Sequence, residues 1–456
     1  MSRGTKTRHP RLPHLGWIAG LALSSAAVAQ DTAKPALPDT TPCPEAVGKI
    51  ATCYSAKLES GAYVLAALPK SWNGDLIVFA HGGPSLEPPT AASSKGDLSK
   101  YAVEVVRGFG WVASSYRREG YGIEMAAADT DDARKFFIAR IAKPRRTLLH
   151  GASYGGLVAA KLVETAAKNA DGSLNYDGAF LNSGLVSGSA MGYEFRADLR
   201  VIYQYYCKNL PRANEPQYPL WLGIPAESKM TPKEMEARVD ECTGVSKPAA
   251  ERTDLQKQNL ANITGVMGFP APLLARHMQS AIFIFRDVAM RVTQGKSAFT
   301  NIGIRYRGSS DDSSLNRDVV RFDKDPAAHA ALKADGQPTG ALPIPMVAIH
   351  SINDPQVVVE VESSYRDVVR AAGNADRLVQ AYTDENQHTG QSAPEIVAAL
   401  EMLKQWIEMG YKPDAPIIAE VCEQLRSGFE GPCRYHPEFQ PKAYGTKYYT
   451  RDAVAR

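Results

Sequence analysis

The seven residues His150-Gly151-Ala152-Ser153-Tyr154-Gly155-Gly156 constrain this chain more than any other stretch. An apolar strand pattern (147–150) runs into them, and a helix-forming run (157–164) leaves them. A serine on so sharp a strand-to-helix turn has strained backbone and needs small neighbours, so that chain does not clash with chain. The turn lifts the hydroxyl clear of the sheet and puts a helix N-terminus beneath it. A Gly-rich chain also produces such pentapeptides as ordinary turns. The flanking strand and helix favour the reading of Ser153 as an exposed nucleophile.

A serine that attacks a carbonyl needs donors already aimed at the oxygen that turns negative. The backbone N–H of Tyr154, directly after the serine, is the first candidate. The second is sought on a loop closing an earlier strand. The apolar run 75–80 reads as a buried strand and ends in His81-Gly82-Gly83-Pro84. Glycines let a backbone N–H approach without a side chain in the way, which makes Gly82 and Gly83 the candidates. A base and an orienting acid follow in chain order. Residues 345–350 read as a strand, and Asp354 lies in the loop after it; residues 378–382 read as the last strand, and His388 lies in the loop beyond. Both positions fall beyond strand C-terminal ends, where open α/β sheets place their sites. His436 is the competing base, whereas His350 precedes the acid. His81 and His150 read as loop-shaping residues, and Asp311-Asp312 as a helix cap.

His81-Gly82-Gly83-Pro84, the run 115–122, Gly151-Ala152-Ser153-Tyr154-Gly155-Gly156 and His350-Ser351-Ile352-Asn353-Asp354 resemble the α/β-hydrolase superfamily. In motif they are most similar to the catalytic domain of prolyl oligopeptidase-like serine hydrolases. The resemblance covers roughly residues 60–185 and 340–410 and leaves no room upstream for a β-propeller. It implies an eight-stranded, mostly parallel sheet with Ser153 as nucleophile, Asp354 as orienter and His388 as base. It also implies an oxyanion role for the Tyr116 hydroxyl. Asn386-Gln387-His388 departs from the Glu-Gly-His common in the peptidases, so hydrolysis is supported more than peptide cleavage.

Between residues 183 and 342 the strand–helix alternation stops, and helices are expected near 192–209, 232–242, 277–294 and 327–334. The predicted fold is therefore an α/β-hydrolase sheet of eight strands with a helical cap inserted between the sixth and seventh. The aromatics of this insertion build its own core for the most part. Tyr203, Tyr206 and Trp221 are the candidates to line a substrate pocket. The chain divides into a signal peptide (1–29), an N-terminal arm (30–50), core (51–182), cap (183–342), core (343–412) and a disulfide-containing C-terminal extension (413–456). At 456 residues, 44% hydrophobic, one catalytic unit with an insertion fits better than three domains.

Arg3, Lys6, Arg8 and Arg11 precede an apolar stretch from Leu15 to Val28 and small residues at Ala27 and Ala29, the pattern of a secretory signal cut after Ala29. No other stretch is long enough to span a bilayer. Export makes the six cysteines a disulfide set, and spacing suggests Cys43–Cys53, Cys207–Cys242 and Cys422–Cys433 among the possible pairings. The competing metal-site reading is weak, because no two cysteines lie within four residues and no histidine cluster joins them. A net charge of +3 with scattered basic residues implies no nucleic-acid partner. The expectation is a secreted or periplasmic serine hydrolase that cleaves a small or medium carboxylic ester without metal or organic cofactor. A peptidase, and a binding protein on an inactive hydrolase scaffold, stay open beside it.

Overall fold

The computed structural model describes residues 37–451. The expected signal peptide and its cleavage point lie outside the described residues. Nine strands form one sheet: β1 (Thr40–Thr41), β2 (Ala51–Lys57), β3 (Tyr63–Pro69), β4 (Asp75–Ala80), β5 (Gly110–Ser114), β6 (Arg146–Ala152), β7 (Gly178–Asn182), β8 (Met346–Ser351) and β9 (Leu378–Thr383). Their order is β1-β2-β3-β5-β4-β6-β7-β8-β9. The pairs β1–β2, β2–β3 and β3–β5 are antiparallel, and the rest are parallel.

This corrects the expectation of eight strands with a cap between the sixth and seventh. The sheet is mixed and nine-stranded, and the helical insertion lies between the seventh and eighth strands. The added strand is two residues long, too short for any alternation of side chains to announce it. It forms because Thr40 and Thr41 pair with Tyr54 and Cys53 on the edge of β2, beside the Cys43–Cys53 disulfide.

Every residue of β4, β5, β7 and β8 is buried, as strands covered by helices on both faces must be. Alternation along β4 sends Leu76, Val78 and Ala80 to one face and Ile77 and Phe79 to the other. The first face packs the helices Ile123–Arg140 and Tyr154–Ala166; the second packs Ala393–Met409 and Ala415–Leu425. The insertion's helices Met191–Cys207, Pro232–Thr243 and Asp254–Met267 contribute apolar side chains to the first cluster, so insertion and sheet share one buried core.

In sequence, Asp129, Asp131 and Asp132 suit the N-terminus of a helix over 129–141, but the helix begins earlier, at Ile123, so the three carboxylates are mid-helix. Their charges are met laterally. Asp129, fully buried, accepts from the guanidinium of Arg117, and Asp131 pairs with Arg134 and Lys135. Asp311 does cap a helix, accepting from the Ser314 N–H at 3.0 Å. The three disulfides are Cys43–Cys53, Cys207–Cys242 and Cys422–Cys433, with Cα separations of 5.3, 5.5 and 5.9 Å. Among the described residues no helix is long and apolar enough to cross a membrane.

Candidate active site

Strand β6 ends at Ala152, and the helix Tyr154–Ala166 starts two residues later. Ser153 makes the turn at φ 59°, ψ −123°, in the left-handed half of backbone space that a side chain disfavours. Its surroundings hold it there. The Ser153 N–H donates to Asn182 O at 3.0 Å, and its carbonyl accepts from Gly156 and Leu185 at 2.9 and 3.0 Å. A Cβ on Gly151 would collide with Gly155 O, and one on Gly155 with Ala80 O, which explains the glycines on either side.

Ser153, Asp354 and His388 come together in one hydrogen-bonded chain. His388 Nε2 lies 2.7 Å from Ser153 Oγ, and His388 Nδ1 lies 2.7 Å from Asp354 Oδ2. The other carboxylate oxygen, Oδ1, accepts from the Gln356 and Val357 N–H groups, each at 2.9 Å. Asp354 is buried, which by itself would raise its carboxyl. The hydrogen bond and charge of His388, the charge of His350 and the Val357 N–H outweigh that and hold it below the usual carboxylate range. A carboxylate so held keeps the proton on Nδ1 and leaves Nε2 free to accept from the hydroxyl.

The loop after β4 passes beside the serine: a Cβ on Gly82 would be 3.8 Å from Ser153 Cβ and 3.6 Å from Ala152 O. Tyr154 opens its helix, so its N–H has no intrahelical acceptor. The Tyr116 hydroxyl donates to the His81 carbonyl at 2.7 Å, so its one proton shapes this loop; Tyr116 lies outside the lining of the cavity over Ser153. That cavity has a volume of about 350 Å³, and its floor is Ser153, Tyr154, Gly83 and His388. The insertion contributes Leu185, Tyr193, Arg196, Arg276 and His277 to its lining.

The three aromatics expected in the pocket are not brought to it. Tyr203 is fully buried within the insertion and donates to Asn209 Oδ1 at 2.8 Å; Tyr206 packs edge-on against Tyr205, and Trp221 against Phe322. Helix geometry supplies the reason. Tyr193 and Arg196, three residues apart, share the face turned to Ser153, and Tyr203 is ten residues beyond Tyr193, about 15 Å along the axis.

Other histidines occupy structural positions. His150 is buried against Glu104 at 2.6 Å, and His436 is exposed outside the cavity lining. His350 lies directly behind Asp354. Its Nδ1 is 2.9 Å from Glu362, its Nε2 is 2.8 Å from Val357 O, and its Nε2 is 3.6 Å from Asp354 Oδ2. Burial opposes protonation of His350, but the hydrogen bond and charge of Glu362, with Asp354, raise it above its usual range.

Sequence reading also missed a brace on the histidine loop. Arg434, one residue past Cys433, pairs with Glu385, pairs with Glu395 at 3.0 Å and donates to Gly390 O at 3.1 Å. Glu385 in turn accepts from the Asn386 and Gln387 N–H groups at 2.6 and 3.0 Å, immediately before His388. The extension thus clamps both sides of the loop that carries the imidazole.

Sheet order, the turn at Ser153 and the strand-end positions of Asp354 and His388 make this an α/β-hydrolase fold. No family model and no curated protein matches the chain. Among solved structures it is similar to Candida antarctica lipase A, at 14% identity over 87% of this chain and 91% of that one, with a TM-score of 0.43. It is also similar to an esterase from Aspergillus oryzae (14% identity, 80% of each chain, TM-score 0.37). A third is a puromycin-hydrolyzing peptidase of Mycobacterium tuberculosis (12% identity, 80% of this chain and 40% of that one, TM-score 0.39).

Proposed function

We propose that this protein is an exported serine hydrolase that cleaves carboxylic esters through an acyl-enzyme. The observation that carries the reading is the unbroken chain from Ser153 Oγ through His388 to Asp354, with 2.7 Å at each link, at the floor of a cavity. In this scheme His388 Nε2 takes the Ser153 proton as Oγ attacks the ester carbonyl. The N–H of Tyr154 and that of Gly82 or Gly83 stabilise the oxyanion. His388 then gives its proton to the departing alcohol. Water, deprotonated by the same imidazole, attacks the acyl carbon and releases the acid and free Ser153. Asp354 keeps the imidazole in the right tautomer and stabilises its charged form.

A cavity of about 350 Å³ lined by both the core loops and the insertion suits a small or medium acyl compound and favours an ester over an extended peptide. Residues 183–342 act in this reading as a cap. Three disulfides support maturation in an oxidising compartment. The test is turnover of the purified mature protein on short- and long-chain 4-nitrophenyl esters and on proline-containing peptide amides, with mass spectrometry for an acyl-enzyme. Ester turnover with a trapped acyl adduct is expected. Amide turnover that exceeds ester turnover would transfer the assignment to a peptidase, and an inert protein would make the scaffold a binding module.

A further inference from the structure

The cavity wall supplied by the helix Met191–Cys207 carries a buried cation that forms no ion pair among the described residues. Arg196 is 9% exposed. One amino group, Nη1, donates to Gly192 O at 2.9 Å within its own helix; Nε is buried without a partner, and the other amino group makes no hydrogen bond or ion pair. Two rings lie against the guanidinium, its carbon 4.4 Å from the centre of Phe195 and 4.8 Å from that of Tyr193. The second amino group is what remains to bind something. Burial holds Arg196 below its usual range, and no carboxylate stands among the groups that offset it.

A second cation, Arg276, lines the same cavity and forms no ion pair among the described residues. Glu87, the one carboxylate in the lining, is exposed at the rim. His277 between the arginines stays neutral, pushed down to about 3 by burial and then by the charges of Arg196 and Arg276. A buried charge is retained where something pairs with it, and among the described residues no carboxylate forms an ion pair with Arg196. A guanidinium with donors left uncommitted can take an oxyanion in paired hydrogen bonds.

We propose that the ester hydrolysed at this site bears a carboxylate, and that Arg196 binds it with Arg276 adding to the field. One desolvated cation beside a neutral imidazole matches a monoanion better than a doubly charged phosphate. The carboxylate is a spectator: the ester C–O bond alone breaks, water adds across it, and the second acid group leaves unchanged. The inference rests on Ser153 acting as the nucleophile of the reading above.

The test uses matched esters on the mature wild-type protein. Mono-4-nitrophenyl adipate is set against its methyl ester, which puts the charge on the acyl side. The butyrate ester of 4-hydroxybenzoate is set against that of methyl 4-hydroxybenzoate, which puts it on the leaving group. We expect kcat/KM to favour the charged member at least tenfold in one pair, and adipate to inhibit competitively where adipamide does not. In Arg196→Met, with folding checked by thermal unfolding, the charged-to-neutral ratio should fall about tenfold, towards one; Arg276→Gln should lower it less.

Turnover of all four esters with ratios near one in the wild type would overturn the carboxylate and leave the esterase reading standing. An unaltered ratio in folded Arg196→Met would overturn the role of that residue. Preference for a phosphate-bearing analogue over the carboxylate would reassign the anion. Failure to turn over any ester or to react with a fluorophosphonate would remove the underlying reading instead. The wild-type arms need no variant to fold.

Discussion

Replacing Asp354 by asparagine changes one atom and should silence the site through the tautomer of His388. The direction of the new amide is set by the backbone. Oδ1 of Asp354 accepts from the half-buried Gln356 N–H and the buried Val357 N–H, each at 2.9 Å. An asparagine oxygen must stay there, because turning the amide would orphan two donors at a cost of about 1–3 kcal/mol each. The NH2 group then takes the place of Oδ2, 2.7 Å from His388 Nδ1. Nδ1 must now accept, so Nε2 carries the proton and points it at Ser153 Oγ, which it can no longer deprotonate. Loss of a triad carboxylate in this manner costs roughly 10⁴-fold in kcat, about 5 kcal/mol of barrier. The assay is steady-state hydrolysis of 4-nitrophenyl acetate at neutral pH, with circular dichroism and thermal unfolding as fold controls. Turnover within tenfold of wild type in a folded Asp354→Asn protein would refute the assignment of Asp354.

Two further outcomes concern the frame around the site. Arg434→Met strips the buried Glu395 of its ion pair and releases the loop before His388, so it should cost about 2 kcal/mol in chemical denaturation and lower kcat more than it raises KM. An unchanged midpoint and kcat would reduce the clamp to a surface contact. His277 is neutral in the folded protein down to about pH 3, whereas the unfolded chain protonates it near the ordinary value of about 6.5. Its contribution to stability is therefore whole above about pH 6.5 and lost as pH falls towards 3. His277→Gln should remove roughly 3 kcal/mol of the stability lost between pH 7 and pH 4. Equal losses in urea titrations of both proteins would contradict this.

The parts of the molecule that were legible in sequence are those where one residue type answers one physical demand. Gly151 and Gly155 flank Ser153 because backbone oxygens occupy the space of a side chain. Asp354 and His388 each follow an apolar run that is a buried parallel strand, so order along the chain stood in for order in space. Thr40–Thr41 was not legible, because two residues have no period. The start at Ile123 was hidden because the acidic trio that follows mimics a helix N-terminus, while its partners Arg117 and Tyr176 lie elsewhere in the chain. The aromatics of the insertion were visible as residues but not as a face: Tyr193 reaches the cavity and Tyr203 on the same helix does not. Arg196 and Arg434 carry no signal in the sequence that sets them apart from the other scattered basic residues. Only the fold brings rings around the first and two glutamates around the second.

The central claim is that Ser153 is the nucleophile, and covalent labelling tests it most directly. The mature protein is treated with a fluorophosphonate, digested and mapped by mass spectrometry, beside a Ser153→Ala protein of matched thermal stability. The account predicts a single adduct on Ser153, no adduct in the variant, and ester turnover lowered at least about 10³-fold there. An adduct on another serine, or undiminished labelling and turnover in folded Ser153→Ala, would contradict it.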